Sequence, residues 1–225
     1  MISLNQIVKS KETGRGKVAV LDHLNLSISK GEYISIVGFN KCGKTALIKI
    51  LAMMDRDFYG HYQFGEYSLE SLDDASFQKF RLENIGLVYK NFNIVDYFTL
   101  KENILLPLRF MEKDKKQVYE RAKYLCHLFA INHKKNHLAS QVNQLIKTKT
   151  AIAQALILNP TLLLADDILK GLTNEEVRLL IDLLAKLNEN GLTIILTSEN
   201  LRDANLFHRK IFIHEGRVFT DYPFT

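Results

Sequence analysis

The stretch Gly38-Phe39-Asn40-Lys41-Cys42-Gly43-Lys44-Thr45 decides how this chain is read. It satisfies G-x-x-x-x-G-K-[ST] at every fixed position. Before it stands Tyr33-Ile34-Ser35-Ile36-Val37, which reads as a strand of mixed burial. After it, Leu47, Ile48, Leu51 and Met54 recur at helical spacing. Strand, glycine loop and helix, in that order, form the context in which this motif holds phosphate. Gly38 and Gly43 permit backbone turns that aim several N–H groups at one anion. The helix beginning near Lys44 directs its positive end at the same place. Lys44 has the length to reach the β- and γ-phosphates, and Thr45 offers a hydroxyl to Mg²⁺. Residues 38–45 are therefore expected to hold the β- and γ-phosphates of a ligand, with Mg²⁺ beside Thr45.

Outward from the loop, the pattern on both sides is strand-rich. Leu24, Leu26 and Ile28 alternate with polar residues as a half-buried strand does, and Gly31-Glu32 reads as a turn. Tyr62, Phe64 and Tyr67 mark another strand-like segment. Between about residues 99 and 156 the β-pattern fades, and Val118, Ala122, Leu125 and Phe129 repeat at helical spacing. Alternation then returns. Leu162-Leu163-Leu164-Ala165 reads as a buried strand, and Val177 to Leu187 as an amphipathic helix that Gly191 is placed to end. Thr193 to Thr197 and Ile211-Phe212-Ile213 read as two more strands. Strands alternating with helices predict an α/β fold with a largely parallel sheet. Asp166 ends the Leu162 strand, so its carboxylate is expected to face the ligand crevice and to serve as the second metal residue.

Composition narrows the class. The chain has 225 residues, 47% of them hydrophobic, with 30 Lys and Arg against 25 Asp and Glu and a formal charge of +5. This excludes a mainly disordered chain. The two cysteines, Cys42 and Cys126, make no disulfide framework. The opening MISLNQIVKSKETGRG lacks the apolar core of a signal peptide, and no apolar run is long enough to span a bilayer. A reduced, cytoplasmic protein is expected. The basic residues are spread along the chain, and nothing points to nucleic acid. His133 and His137 stand four apart with Cys126 and His127 nearby, but no third ligand or Cys-x-x-Cys supports zinc there, and a polar loop is expected.

With these segments in view, the chain resembles the nucleotide-binding subunit of ATP-binding cassette (ABC) transporters. The resemblance is to the subgroup serving lipoprotein release, macrolide export and bacterial cell division. It rests on Ser29-Lys30-Gly31-Glu32, on residues 83–89 (ENIGLVY) and 99–108 (TLKENILLPL), on residues 151–156 (AIAQAL), and on Asn159-Pro160 through Asp166. It implies a P-loop, RecA-like core with an antiparallel β-subdomain and an inserted α-helical subdomain. The expected division of this single domain is 1–95 and 156–225 for the core with the β-subdomain, and 96–155 for the helical subdomain. It also implies a second ABC subunit, as homo- or heterodimer, with each ATP between one P-loop and the other chain's signature sequence. A membrane permease is the further expected partner, which puts the protein on the inner face of the cell membrane.

Several positions depart from that family. Its Gln after the Ile-Gly-Leu-Val-Tyr strand is Lys90 here, and its catalytic Glu is Asp167. The signature Leu-Ser-Gly-Gly-Gln aligns with Val142-Asn143-Gln144-Leu145-Ile146, the D-loop Asp with Thr173, and the switch His with Glu199. The aromatic that stacks on adenine aligns with Lys11. A base one methylene shorter sits about 1 Å from its place, which can cost about a hundredfold. Two like charges 4 Å apart repel by about 4 kcal/mol at an effective dielectric of 20, so Glu199 opposes a γ-phosphate. Lys90 is expected to pair with Glu199, or with Asp166 and Asp167. The expectation is an ATP-binding subunit that hydrolyses weakly or not at all. The alternatives are an active exporter ATPase with Asp167 as base, and a nucleotide-free scaffold. Phe92, Tyr97 and Phe98 are read either as part of a permease groove or as packing at the subdomain hinge.

Overall fold

The computed structural model describes residues 1–14, 16–90, 93–110 and 115–221. In chain order the described elements are β1 (Ile2–Thr13), β2 (Gly16–Ile28), β3 (Tyr33–Val37), α1 (Lys44–Leu51), β4 (Tyr59–Phe64), β5 (Tyr67–Ser68), α2 (Asp74–Asn84) and β6 (Ile85–Val88). Then come α3 (Leu100–Leu105), α4 (Lys115–Leu128), α5 (Gln144–Ala155), β7 (Leu162–Asp166), α6 (Asn174–Glu189), β8 (Thr193–Ser198), α7 (Leu201–Ala204), β9 (Arg209–His214) and β10 (Arg217–Phe219).

The strands form two sheets. One is antiparallel, in the order β2-β1-β4-β5; the other runs β10-β9-β3-β8-β7-β6. In the second, β9, β3, β8, β7 and β6 are mutually parallel, and β10 pairs antiparallel at the edge. Every residue of β3, β7 and β8 is buried, so β3 is not the strand of mixed burial that its sequence suggests: a parallel strand covered on both faces buries even Ser35. α1 lies against β7 and packs Leu47, Ile48, Ile50 and Leu51 into a core shared with Ile2, Leu4 and Leu24 of the antiparallel sheet. α3, α4 and α5 pack on one another between β6 and β7 in the chain and bury Leu100, Leu125, Phe129 and Ile152.

Three local choices place the functional loops. α6 is fixed by a capping box, in which the Thr173 hydroxyl accepts from Glu176 N–H while Thr173 N–H donates to the Glu176 carboxylate at 2.9 Å. It buries Val177, Leu180, Ile181 and Leu184 and ends before Gly191, which takes φ 94°. α1 stops at Leu51 rather than running through Met54, because Met53 adopts a left-handed φ of 54° and breaks the helix. The parallel register sets Val37 opposite Ser198 and Asp166 opposite Thr197, so the carboxyl ends of β3, β7 and β8 share one edge of the sheet.

Candidate functional site

That edge is where an open α/β sheet binds ligands. β3 lies inside the sheet between β9 and β8, and the loop after it, residues 38–43, turns directly into α1. A Cβ on Gly38 would fall 2.5 Å from the Ile213 carbonyl oxygen and 2.5 Å from Cys42 Sγ, so only glycine fits. Gly43 takes φ 113°, and a Cβ there would meet the Val20 carbonyl at 2.8 Å. Lys41 also has positive φ, at 65°. Gly43 occupies the N-cap of α1 with no side-chain cap, leaving the first turn's N–H groups uncovered by any capping side chain. Lys44 is buried and donates to the Gly38 and Phe39 carbonyls at 2.6 and 3.1 Å. Among the described residues it has no carboxylate partner. Phe39 is 59% exposed beside the loop, and Asn40 and Lys41 are also exposed. The Cys42 thiol is buried, 4.0 Å from the Lys44 ammonium.

The carboxylates stand at the end of β7. Thr45 donates its hydroxyl to Asp166 Oδ2 at 3.1 Å. Thr197, on β8, donates to Asp166 Oδ1 at 2.7 Å and accepts from Asp167 N–H at 2.9 Å. One threonine thus orients Asp166 and anchors the next residue's backbone. Asp166 is 4% exposed with both oxygens engaged by hydroxyls. A hydroxyl beside a carboxylate is a hard-oxygen donor set that fits Mg²⁺, and the loop amides with Lys44 fit the phosphates of a nucleotide.

Asp167 has a left-handed φ of 55°. Burial pushes its carboxyl above the usual range; Glu199 and Asp166 add to the rise, and Lys44 and Lys90 oppose it. Lys90 places its ammonium 3.4 Å from Asp167 Oδ2. Of the partners expected for Lys90, the geometry gives Asp167. Glu199 instead faces Lys170 at 3.8 Å, and its Oε1 is buried without a hydrogen-bond partner among the described residues. Beside these residues opens a cavity of ≈ 600 Å³ lined by Phe39, Asp167, Lys170, Glu199, Asp203 and Phe212, among others. Burial raises the Asp203 carboxyl as well, against a hydrogen bond from Ser198.

The segment aligned with the signature takes its own form. Asn143 is the N-cap of α5, and its side chain accepts from Ile146 N–H at 3.1 Å. Thr173, at the D-loop position, is the cap of α6. Lys11 is exposed on β1 opposite Val18. Phe92 lies outside the described residues. Tyr97 is 77% exposed and meets the Phe98 ring edge-on at 5.2 Å. His133 falls in a single-turn helix and His137 beyond it, and among the described residues no cluster of His, Cys, Asp and Glu suits a metal ion. Sequence reasoning did not single out Thr197. Its signal was a hydroxyl residue near the end of an otherwise apolar strand.

Comparison with known proteins agrees with this geometry. The family model described as ABC transporter matches residues 21–170. The macrolide export ATP-binding/permease protein MacB of Campylobacter jejuni is 31% identical over 221 residues, 98% of this chain and 34% of that protein. The chain thus spans about a third of MacB's length. The ABC transporter ATP-binding protein MJ0796 of Methanocaldococcus jannaschii is 30% identical over 227 residues, covering 97% of this chain and 95% of the relative. The solved dimeric, post-hydrolysis structure of MJ0796 bound to ADP and Pi superposes with a TM-score of 0.88 at 28% identity, over 100% of both chains. No helix among the described residues is long and apolar enough to cross a membrane.

Proposed function

Since this chain belongs to the ABC transporter family, as an ATP-binding cassette of the MacB- and MJ0796-like subgroup, we propose that it binds MgATP, docks on a membrane permease and hydrolyses ATP weakly or not at all. Residues 38–45 would cradle the phosphates, and Thr45 and Asp166 would hold the metal. Mg²⁺ supplies charge neutralisation between the phosphates when bound. Lys44 would exchange its two loop carbonyls for phosphate oxygens, and Thr197 would keep Asp166 turned toward the metal.

The observation that carries the weak-hydrolysis reading is the Lys90 ammonium 3.4 Å from Asp167 Oδ2. A general base must present a free oxygen to water within about 3 Å. Here a cation sits against one oxygen of the carboxylate at the base position, on a side chain shorter than the family's. Glu199 adds negative charge where the family has a histidine. A groove of ≈ 260 Å³ lined by Met54, Arg81, Tyr89, Leu106, Pro107 and Gln154 runs beside β6 and α5 and suits an inserted permease helix. The second cassette, identical or not, would bring its own residues to the open side of the P-loop. The raised Asp167 carboxyl favours one rival, in which Asp167 serves as a working base.

Calorimetric titration of MgATP, with Lys44→Ala as control, tests the reading together with a turnover assay. The expected result is micromolar affinity that the variant loses, with turnover far below about 1 s⁻¹, an ordinary enzyme rate. No binding at millimolar ATP would make the chain a scaffold. Turnover near that ordinary rate, abolished by Lys44→Ala, would make it an active ATPase.

A further inference from the structure

The formal charge of +5 conceals an uneven distribution. Residues 99–156, about a quarter of the chain, carry 11 of the 30 Lys and Arg but 4 of the 25 Asp and Glu. That segment is formally +7, and the rest of the chain is −2. The asymmetry arises from a scarcity of acids rather than from a lysine tract, and for that reason it does not stand out along the sequence.

The fold gathers part of this charge onto one face. On α4, Lys116, Tyr119 and Lys123 follow one another at spacings of three and four and so form one stripe. α3 brings Lys101 to it, with the ammonium 5.0 Å from the centre of the Tyr119 ring. Lys101 N–H also donates to the Lys135 carbonyl at 2.9 Å, which fastens the loop carrying Lys134 and Lys135 to the same corner. Lys101 and Lys135 both lie near enough to Cys126 of α4 for their charges to act on its thiol, although burial dominates there. Some basic side chains do meet carboxylates, as Lys9 meets Asp55, Arg209 meets Glu32 and, from this segment, Lys147 meets Asp96. Among the described residues Lys101, Lys123, Lys134 and Lys135 form no ion pair, and Tyr119 is 52% exposed.

We infer that this face of α3, α4 and the loop at Lys134–Lys135 binds the anionic phospholipid headgroups of a membrane surface directly. The side-chain types favour lipid over an acidic protein segment. Lysine is a hydrated point charge suited to a diffuse array of phosphates, whereas carboxylate recognition favours the arginine fork. The exposed Tyr119 among these lysines matches the polar–apolar boundary of a bilayer. The ≈ 600 Å³ and ≈ 260 Å³ cavities are lined by other residues. The contact goes beyond the transporter reading, since it requires neither ATP nor a permease.

The test is co-sedimentation of the full chain with vesicles of phosphatidylcholine alone or mixed with phosphatidylglycerol. Binding is expected only to the anionic vesicles, and to weaken as salt rises from about 0.1 to about 0.5 M. Each lysine near such a surface strengthens binding about fivefold, so the triple variant Lys101→Gln, Lys123→Gln, Lys135→Gln should lose about a hundredfold. An unchanged melting temperature would show the variant folded; if it fails to fold, single substitutions, each expected to lose about fivefold, decide the matter. No preference for anionic vesicles, or full binding by the folded variant, would overturn the proposal. So would tighter, lysine-dependent binding to polyglutamate than to the vesicles, which would favour an acidic protein partner. Lys44→Ala should bind vesicles normally, so loss of ATP binding alone would sink only the nucleotide reading.

Discussion

Two helix N-termini in this chain differ in one detail. α1 begins after Gly43, a residue without a side chain, and no side chain caps its first turn. α5 begins after Asn143, whose side chain accepts the N–H of Ile146 at 3.1 Å. Both ends carry the partial positive charge that attracts anions. At α1 that charge is left for a ligand; at α5 the chain has satisfied one of its own donors. In the family that this chain belongs to, the first end receives phosphate within the chain and the second is offered to the partner's nucleotide. On the proposed reading, the contrast separates a binding half from an altered half for completing another site. It can be broken at either end.

The largest effect is expected at the open end. Gly43→Ala places a Cβ 2.8 Å from the Val20 carbonyl at φ 113°. Strain and backbone contact together should cost about 3 kcal/mol, or about 6–12 °C in melting temperature, and MgATP binding should disappear. A variant that melts and binds like the parent would mean that α1 does not need its glycine cap. Next comes restoration of the departing positions beside the phosphate loop. Lys90→Gln, Asp167→Glu and Glu199→His together should raise turnover by less than about tenfold in a homodimer, because each site still faces the altered α5. Adding Asn143→Ser, Gln144→Gly and Leu145→Gly should raise it by about a hundredfold or more. If the first three substitutions suffice, the α5 end is not what limits hydrolysis.

A smaller effect tests the cap itself. Asn143→Ala should cost about 1 kcal/mol, or about 2–4 °C in a thermal melt, and leave MgATP affinity at α1 unchanged. An equal loss of affinity would mean that the two ends are coupled within one chain.

The open end was legible from the sequence, since Gly38, Gly43, Lys44 and Thr45 are spaced by a rule that the backbone enforces. β3, β7 and β8 were legible as strands, although the full burial of β3 was not. β1 was not. Its buried residues Ile2, Leu4 and Ile7 lose period two at Gln6, where φ is 53° and the pairing with β2 shifts register. A bulge moves later side chains to the other face, so alternation cannot reveal the strand. α2 buries only Phe77 fully and has no strong apolar stripe, although Asp73 capping Ser76 was a readable start signal. The partners of Lys90 and Glu199 depended on loops after β6 and β7 and on the left-handed turn at Asp167, none of which a linear spacing encodes.

The smallest expected effect concerns the carboxylates near the phosphate loop. Asp167, Glu199 and Asp203 share one cavity lining with Phe39, and burial raises the first and last of the three. For Asp203 the sign is fixed: a carboxyl raised in the folded state binds its proton more tightly there than in the unfolded chain. Its charge therefore weighs against folding above the folded value, and that penalty vanishes once pH falls below the ordinary carboxylate range. Asp203→Asn should raise the melting temperature at neutral pH by about 2 °C, with Ser198 still able to donate to the amide oxygen. Below about pH 3.5 the two proteins should melt together. A gain that persists in acid would mean that packing rather than charge is responsible. A loss at neutral pH would mean that the carboxylate is held there by a cation, and the contrast with the cation-lined phosphate loop would narrow accordingly.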